Sequence, residues 1–395
     1  MIRRFVDFVF FLVSLAASLI SVKAGLASPS SERAYLDPLR PPAKWLSEYR
    51  FFSDIERQIP NPGVVPYELN TPHFADYATL RRYLWLPEGR KISVGEDHSL
   101  AYPIGATLIL NVSYQQGVEN RELSVSEQLV ESRLLYRGSE GWRAAHYIWD
   151  EALSDAKLTA AGGKVAVNWE DSSGQLKGHR YRVPNRNQCQ QCHEYDDKMS
   201  PLGPIKVAHL NRSMGEGEEV VNQLDLWRDL GLIEGLGNES CRDLPRTAVW
   251  NDPASGSLDD RARAYLDMNC ASCHRPGGLA YTSGLDLRAN QVEPLRYGVL
   301  KVPVAAGRGI GKMRFSIVPG VPEKSMLLHR LSVTDPGIRM PIVGRSLVHK
   351  EGVELIREWI RSMRFPALTE AQSEADTRWT EVLQQVHSYS NEKAN

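Results

Sequence analysis

The feature that most constrains this chain is a pentapeptide, Cys-x-x-Cys-His, that occurs in it twice. The two copies consist of Cys189, Cys192 and His193, and of Cys270, Cys273 and His274. Covalent haem attachment requires this arrangement, because two thiols must reach the two vinyl groups of one porphyrin while the adjacent imidazole lies under the iron. Only 5 cysteines and 10 histidines occur among the 395 residues. Two copies therefore predict two haem c groups, each with a motif histidine as an iron ligand.

Other interpretations of the cysteine pairs stay open at this stage. A disulfide or a thioredoxin-type redox centre would explain Cys-x-x-Cys, but would not require histidine next in both copies. A zinc site could use the same thiols, yet no further pair of ligands follows at the usual spacing. The fifth cysteine, Cys241, has no local partner, and we expect it to be a buried free thiol.

The N-terminus is typical of a secretory signal peptide. Arg3 and Arg4 precede an apolar run from Phe8 to Val22, which is followed by small residues at Ala24 and Ala27. The run is shorter than the roughly 20 apolar residues that a spanning helix needs, which makes an uncleaved anchor the weaker alternative. We therefore expect residues 1–27 to be removed, no stable membrane span afterwards, and a periplasmic or otherwise exported protein.

Composition excludes several classes of protein. Hydrophobic residues make up 42% of the chain and charged residues 24%, as in ordinary folded proteins. The net charge of −1 provides no overall field that would attract nucleic acid. The length predicts two or three domains.

The chain changes character along its length, which predicts an α+β, multidomain protein. Short β-branched and aromatic runs separated by turn residues indicate a β-rich, sandwich-like domain over residues 38–185. The predicted strands are Tyr83–Leu86, Thr107–Tyr114, Leu129–Tyr136, Trp142–Trp149, Val165–Trp169 and Tyr181–Val183. A middle segment, 186–250, carries the first motif in a predicted loop and then an amphipathic run from Glu218 to Leu230. A mostly α cytochrome c-like domain over 251–366 and a polar tail over 367–395 complete the prediction.

The segment from Ser257 to Met363 resembles a class I cytochrome c domain in the order of its parts. A helix leads into the second motif, a Gly/Pro-rich loop follows, a methionine loop contains Met340, and a final helix carries Trp359. The resemblance implies that His274 is the proximal iron ligand and Met340 the distal one. The rival ligands are Met313, Met326 and His329. This segment is longer than a minimal cytochrome c because of an insertion between Asp286 and Pro319.

The distal ligand at the first motif is less defined. His193 is the proximal candidate, and the distal candidates are Met199, His209, Met214 and His146, among which Met199 is favoured. The order of segments from Asn70 to Met340 is also similar to a family of exported bacterial proteins of uncharacterised role that have a C-terminal cytochrome c region. That similarity implies no substrate.

We therefore expect an exported dihaem c-type cytochrome that transfers single electrons to a redox partner and is not itself a catalyst. Five basic residues in one loop would either hold haem propionates or steer an acidic partner protein: Arg296, Lys301, Arg308, Lys312 and Arg314. Two alternatives remain. One is a dihaem peroxidase with an open iron at the first motif, and the other is a binding module with a single cytochrome c domain.

Overall fold

The structure is a computed structural model that describes residues 33–115, 127–171, 173–215, 220–304 and 306–364. The predicted signal peptide and polar tail lie outside these residues. The strands are β1 Phe52–Asp54, β2 Ile59–Pro60, β3 Val64–Tyr67, β4 Thr79–Trp85, β5 Ile92–Val94, β6 Leu100–Ala101, β7 Thr107–Gln115, β8 Glu127–Arg137, β9 Trp142–Trp149, β10 Ala156–Leu158, β11 Gly163–Glu170, β12 Leu176–Val183, β13 Glu194–Tyr195, β14 Lys198–Met199, β15 Ser213–Met214, β16 Val221–Asn222 and β17 Ile233–Glu234.

The α-helices are α1 Arg186–His193, α2 Val207–Leu210, α3 Gln223–Asp229, α4 Leu258–Asn269, α5 Met326–Leu331 and α6 Lys350–Ser362. Short 3-10 helices cover Leu46–Tyr49, Cys241–Asp243, Pro253–Ser255, Tyr281–Ser283, Gly307–Ile310 and Pro322–Lys324. Among the described residues no helix is both long and apolar enough to cross a membrane.

The largest sheet has six antiparallel strands in the order β10-β9-β8-β7-β4-β3. Four of its strands, β4, β7, β8 and β9, are long and were predicted from the sequence, which confirms the β-rich N-terminal part. The other two predicted strands, β11 and β12, form a separate hairpin. Because side chains alternate across a strand, the sheet presents two faces with different coverings.

One face of the sheet packs against the N-terminal segment, where Leu46, Phe51 and Phe52 contact Tyr83 and Tyr147 in one core cluster. The opposite face is covered in two places. Val167 and Trp169 of the β11–β12 hairpin pack against Val112 and Tyr114 at one end of the sheet. The hairpin forms a second layer over part of the sheet only.

The middle segment shares a core with the other end of that face. Leu84, Leu108 and Leu135 of the sheet pack with Leu210 and Trp227, which are both fully buried. The edge strand β17 also pairs in parallel with β5 of the β-rich region. The middle segment is therefore packed onto the β-rich region along one continuous core.

The C-terminal region is built around helices α4 and α6. Leu266 of α4 and Ile356 and Trp359 of α6 are buried in one cluster with Leu328 of α5. The indole Nε1 of Trp359 also donates a 2.7 Å hydrogen bond to Asp259. Long loops separate the three helices, so the prediction of a mostly α-helical domain is not supported. The individual helices from Ser257 and from His349 are confirmed.

Candidate functional site

The first motif lies on helix α1, and the prediction of a loop there was wrong. Asn185 caps the helix, because its side-chain oxygen accepts a 2.9 Å hydrogen bond from the backbone N–H of Gln188. In return, the backbone N–H of Asn185 donates a hydrogen bond to the side-chain oxygen of Gln188, which completes a capping box. Residues three and four apart share a helix face. Cys189, Cys192 and His193 therefore point to one side of α1.

The second motif begins where helix α4 ends. The backbone N–H groups of Cys273 and His274 both donate to the carbonyl oxygen of Cys270, at 3.2 and 2.9 Å. The chain thus turns tightly just after the helix. Ser257 caps the other end of α4 through a 3.1 Å bond from the backbone N–H of Asp260.

Each motif histidine is held through Nδ1. His193 Nδ1 lies 2.9 Å from the carbonyl oxygen of Ser200, which can only accept. His274 Nδ1 lies 3.0 Å from Ser283 Oγ, and that hydroxyl donates its own proton to Ala280 O at 2.7 Å. Both rings must therefore carry the proton on Nδ1, which leaves the Nε2 lone pair free.

Burial lowers the pKa of His193 and of His274 to about 4, so both imidazoles are neutral at physiological pH. A neutral imidazole anchored through Nδ1 is the arrangement by which proteins orient a metal-ligating histidine. Chemically, the two side chains can each donate a lone pair to a metal ion.

The two motifs line a single cavity. It contains about 2220 Å³ of empty space, part of which is open to solvent. Most of its walls are apolar, with Leu110, Leu134, Leu287 and Leu331 among the lining side chains. The central sheet forms one wall, and the C-terminal region forms the other. A large apolar cavity with a few convergent polar groups is the usual form of a cofactor site.

The motifs also approach each other directly. Cys273 Sγ lies 3.9 Å from the carbonyl oxygen of Gln191, which stands between the cysteines of the first motif. Just beyond the motifs, the guanidinium of Arg275 lies over the ring of Tyr195, 4.2 Å from its centroid. The two halves of the site are therefore in contact through the Cys273 thiol and through the residues that follow the motifs.

The sheet wall contains a buried polar network beside the first motif. Tyr181 Oη donates a 2.6 Å hydrogen bond to Glu131, which also forms an ion pair with Arg133. His146 Nε2 lies 3.5 Å from Glu131, and its Nδ1 lies 3.3 Å from Cys189 Sγ. Burial raises the pKa of Glu131, but Arg133 and its other partners outweigh burial and keep it below its ordinary value. The network thus joins a buried carboxylate to the first motif.

Four arginines line the cavity: Arg82, Arg133, Arg330 and Arg345. Within the described ranges, no aspartate or glutamate lines it. Of these four, only Arg133 has a carboxylate partner among the described residues. Arg330 and Arg345 donate hydrogen bonds to backbone carbonyl oxygens. Arg82 Nη1 donates one 3.3 Å hydrogen bond to Leu80 O. The second guanidinium nitrogen of Arg82, Nη2, is buried without a partner. Buried cations are costly without a counter-ion, so the cavity is suited to an anionic ligand.

The basic residues that the sequence singled out lie elsewhere. Arg296, Lys301, Arg308, Lys312 and Arg314 are all described, and none lines the cavity. Arg296 instead pairs with Glu293 on the surface at 2.9 Å. The sequence missed the arginines of the cavity, although Arg82 and Arg133 each stand among inward-facing residues of a strand.

The cysteines do not resemble a thioredoxin-type centre. None of the five is paired in a disulfide among the described residues, and Cys241 is fully buried as expected. Burial raises the pKa of Cys189 to about 11 and that of Cys192 and Cys270 to about 12. A redox-active Cys-x-x-Cys pair needs a lowered thiol pKa instead. In the described part of the chain, no three His, Cys, Asp or Glu side chains are grouped as a metal-ion site.

The predicted distal ligands fall into two groups. Met340 and His146 line the cavity, as do Met326 and two histidines that were not considered, His73 and His349. The remaining predicted ligands are not among the described lining residues: Met199, His209, Met214, Met313 and His329. Met199 packs against the core that joins the middle segment to the sheet, and His209 Nε2 lies 3.3 Å from Asp267. His73 had no local sequence signal beyond its place in a Pro-rich segment.

Comparison of the chain with known protein families, with curated proteins and with solved structures finds no match.

Proposed function

We propose that this protein is an exported dihaem c-type cytochrome that transfers single electrons. The observation that carries the proposal is that both Cys-x-x-Cys-His motifs line one apolar cavity, each with its histidine fixed as the Nδ1–H tautomer. Two unrelated cysteine pairs, such as separate disulfides, would have no reason to converge with their histidines oriented in the same way.

The donor set of the cavity fits haem c. Cys189 and Cys192 would hold one porphyrin, and Cys270 and Cys273 the other, with His193 and His274 as the iron ligands. The buried, unpaired nitrogen of Arg82 and the carbonyl-bonded Arg330 and Arg345 suit the propionates, which are the only charged groups at the porphyrin edge. When bound, haem iron supplies a one-electron ferric–ferrous couple. The protein's own contribution is to orient the imidazoles, exclude water with apolar walls and balance the charge of the propionates.

We further propose a cytochrome c-like arrangement for the second motif. Helices α4 and α6 share a buried core, and α4 leads directly into Cys270. Met340 lines the same cavity as His274 and is the proposed distal ligand. Its loop is anchored by the Met340 N–H, which donates to Arg330 O at 3.0 Å, and by Arg345, which donates back to Met340 O at 2.7 Å. A thioether ligand favours ferrous iron and raises the potential, as suits electron relay.

The deciding experiment is haem stoichiometry on the full chain, made in a host with c-type maturation machinery. Pyridine haemochrome absorbance relative to protein mass should give two haems per chain. Cys189→Ala with Cys192→Ala should leave one, and Cys270→Ala with Cys273→Ala should also leave one. The matched control is Cys241→Ala, which removes a buried thiol outside both motifs and should keep both haems.

Other outcomes contradict the proposal in separate ways. A wild-type chain without haem would refute it entirely. One haem that survives only the Cys189/Cys192 replacement would reduce the protein to a single-haem carrier.

The redox partner needs a separate experiment. Exchange of electrons with an acidic redox protein should slow as ionic strength rises, and a salt-independent rate would remove steering by the basic loop from the proposal.

A further inference from the structure

His73 stands on a segment that is fixed at both ends. Before it, Asn70 N–H donates to His209 O at 3.0 Å, and Thr71 Oγ1 donates to Ala248 O at 2.7 Å. Immediately after it, Phe74 N–H donates a 2.8 Å hydrogen bond to the side chain of Asn269, the last residue of α4. The segment is therefore tied to the middle segment on one side of His73 and to the end of α4, next to the second motif, on the other.

The imidazole of His73 lines the cavity and has no hydrogen-bond partner among the described residues. It lies near His193, and close enough to Arg82 and Arg133 for the charges of these two side chains to act on it. Burial, together with these charges, lowers the pKa of His73 well below its ordinary value, so the ring is neutral. A polar side chain in such a site normally finds a partner. An unbonded neutral imidazole has a lone pair available for a metal ion.

The other histidines of the cavity are already engaged. His193 and His274 are the motif histidines. His146 lies between Cys189 and Glu131, with both ring nitrogens directed at a side chain. His349 Nδ1 lies 3.0 Å from Tyr265 Oη, and its ring stacks on Phe74 at 4.2 Å.

We infer that His73 is a second histidine ligand, together with His193, of the iron that the first motif would hold. This inference rests on the proposed function, since it requires a haem at that motif. With two imidazoles bound, that iron is six-coordinate and low-spin and has no open position for peroxide. The site is then an electron relay, and the dihaem peroxidase alternative does not apply to it.

The test uses the full haem-loaded chain, with the spin state read by electron paramagnetic resonance and by optical spectra. We expect two low-spin haems in the wild type. His73→Ala should convert one of them to high spin, and free imidazole added to this variant should restore the low-spin signal. His73→Met should stay six-coordinate and raise one midpoint potential, because a thioether favours ferrous iron more than an imidazole does.

The matched control is His349→Gln, which changes a second histidine of the same cavity and should leave both spin states unaltered. His73→Ala with two haems and an unchanged spectrum would overturn the inference but leave the proposed function intact. A wild-type chain with one high-spin haem would overturn it as well. If His73→Ala does not accumulate, His73→Met decides the question, since an unchanged pair of potentials argues against ligation. A chain without haem would instead refute the proposed function.

Discussion

The backbone N–H of Asp196 donates a 3.1 Å hydrogen bond to the carbonyl oxygen of Gly277. Each residue lies three positions after its motif histidine, so this bond joins the two loops that leave the motifs. The contact lies between segments about 80 residues apart in sequence, and the motifs that precede these segments line one cavity. Local sequence signals contain no information about such a meeting.

Gly277→Ala should separate the two motif loops. Gly277 has φ +74°, and an added Cβ would collide with Asp196 Oδ1 and lie 3.0 Å from Tyr195 Cε2. A left-handed conformation costs a non-glycine residue about 1–2 kcal/mol, and overpacking adds about 1–3 kcal/mol. The free energy of unfolding, measured in urea, should therefore fall by about 2–5 kcal/mol.

The control for that variant is Gly237→Ala. Gly237 has φ +73°, but nothing lies within 4 Å of its added Cβ. It should show the backbone cost alone, about 1–2 kcal/mol. Equal losses at the two positions would mean that the loops do not press on each other at Gly277.

Asn185→Ala should destabilise the helix that carries the first motif. It removes the side-chain oxygen that caps α1, at a cost of about 1 kcal/mol. We expect faster amide hydrogen exchange over residues 186–193 and a correspondingly lower free energy of unfolding. Asn185→Ser keeps a capping oxygen and should exchange at nearly the wild-type rate. Indistinguishable exchange in the alanine and serine variants would show that packing, and not the cap, holds α1.

The sheet was predictable because its strands are runs of β-branched and other apolar residues between turn residues, as the run from Thr107 to Tyr114 shows. Helices α4 and α6 were predictable for a similar reason, since Leu266, Ile356 and Trp359 fall at helical spacing. Helix α1 was not, because its polar sequence contains no apolar period and none of its residues is fully buried. Its Asn185–Gln188 capping box was the one signal that indicated a helix.

Part of the site could be found from sequence and part could not. The motif residues, among them Cys189 and Cys270, can be identified from the Cys-x-x-Cys-His spacing alone. Arg82 gives a weaker signal, because it stands in one row of β4 between Leu80 and Leu84, where an exposed cation would be out of place. His73 gives none, since it reaches the cavity only through hydrogen bonds to residues that are distant in the chain.

Glu131→Gln should both weaken the fold and remove part of its acid sensitivity. The carboxylate is fully buried and paired with Arg133, and breaking a buried pair costs about 3–5 kcal/mol. Its pKa lies below the ordinary value of 4.5, because Arg133 and its other partners outweigh burial. Its contribution to stability is therefore complete above that value and is lost as pH falls through the lowered pKa.

The measurement is urea unfolding of wild type and variant as pH decreases from neutral to about 3. The wild type should lose more stability than Glu131→Gln below about pH 4.5. Glu293→Gln, at the exposed Arg296 pair, is the control and should follow the wild type closely. Parallel curves for wild type and Glu131→Gln would show that this carboxylate does not titrate with unfolding.

If the proposed haems are bound, Arg82→Gln should lower one midpoint potential of the loaded protein. Arg82 is buried and lines the cavity, and a cation there disfavours the more positive ferric state. A charge about 10 Å from the iron, at an effective dielectric constant of about 20, is worth about 1.7 kcal/mol, or about 70 mV for one electron. Arg296→Gln removes a cation of the surface loop instead, where solvent screens its charge. Redox titration should therefore show the larger fall in midpoint potential for Arg82→Gln. Equal shifts in the two variants would place Arg82 away from the propionates and leave its buried charge unexplained.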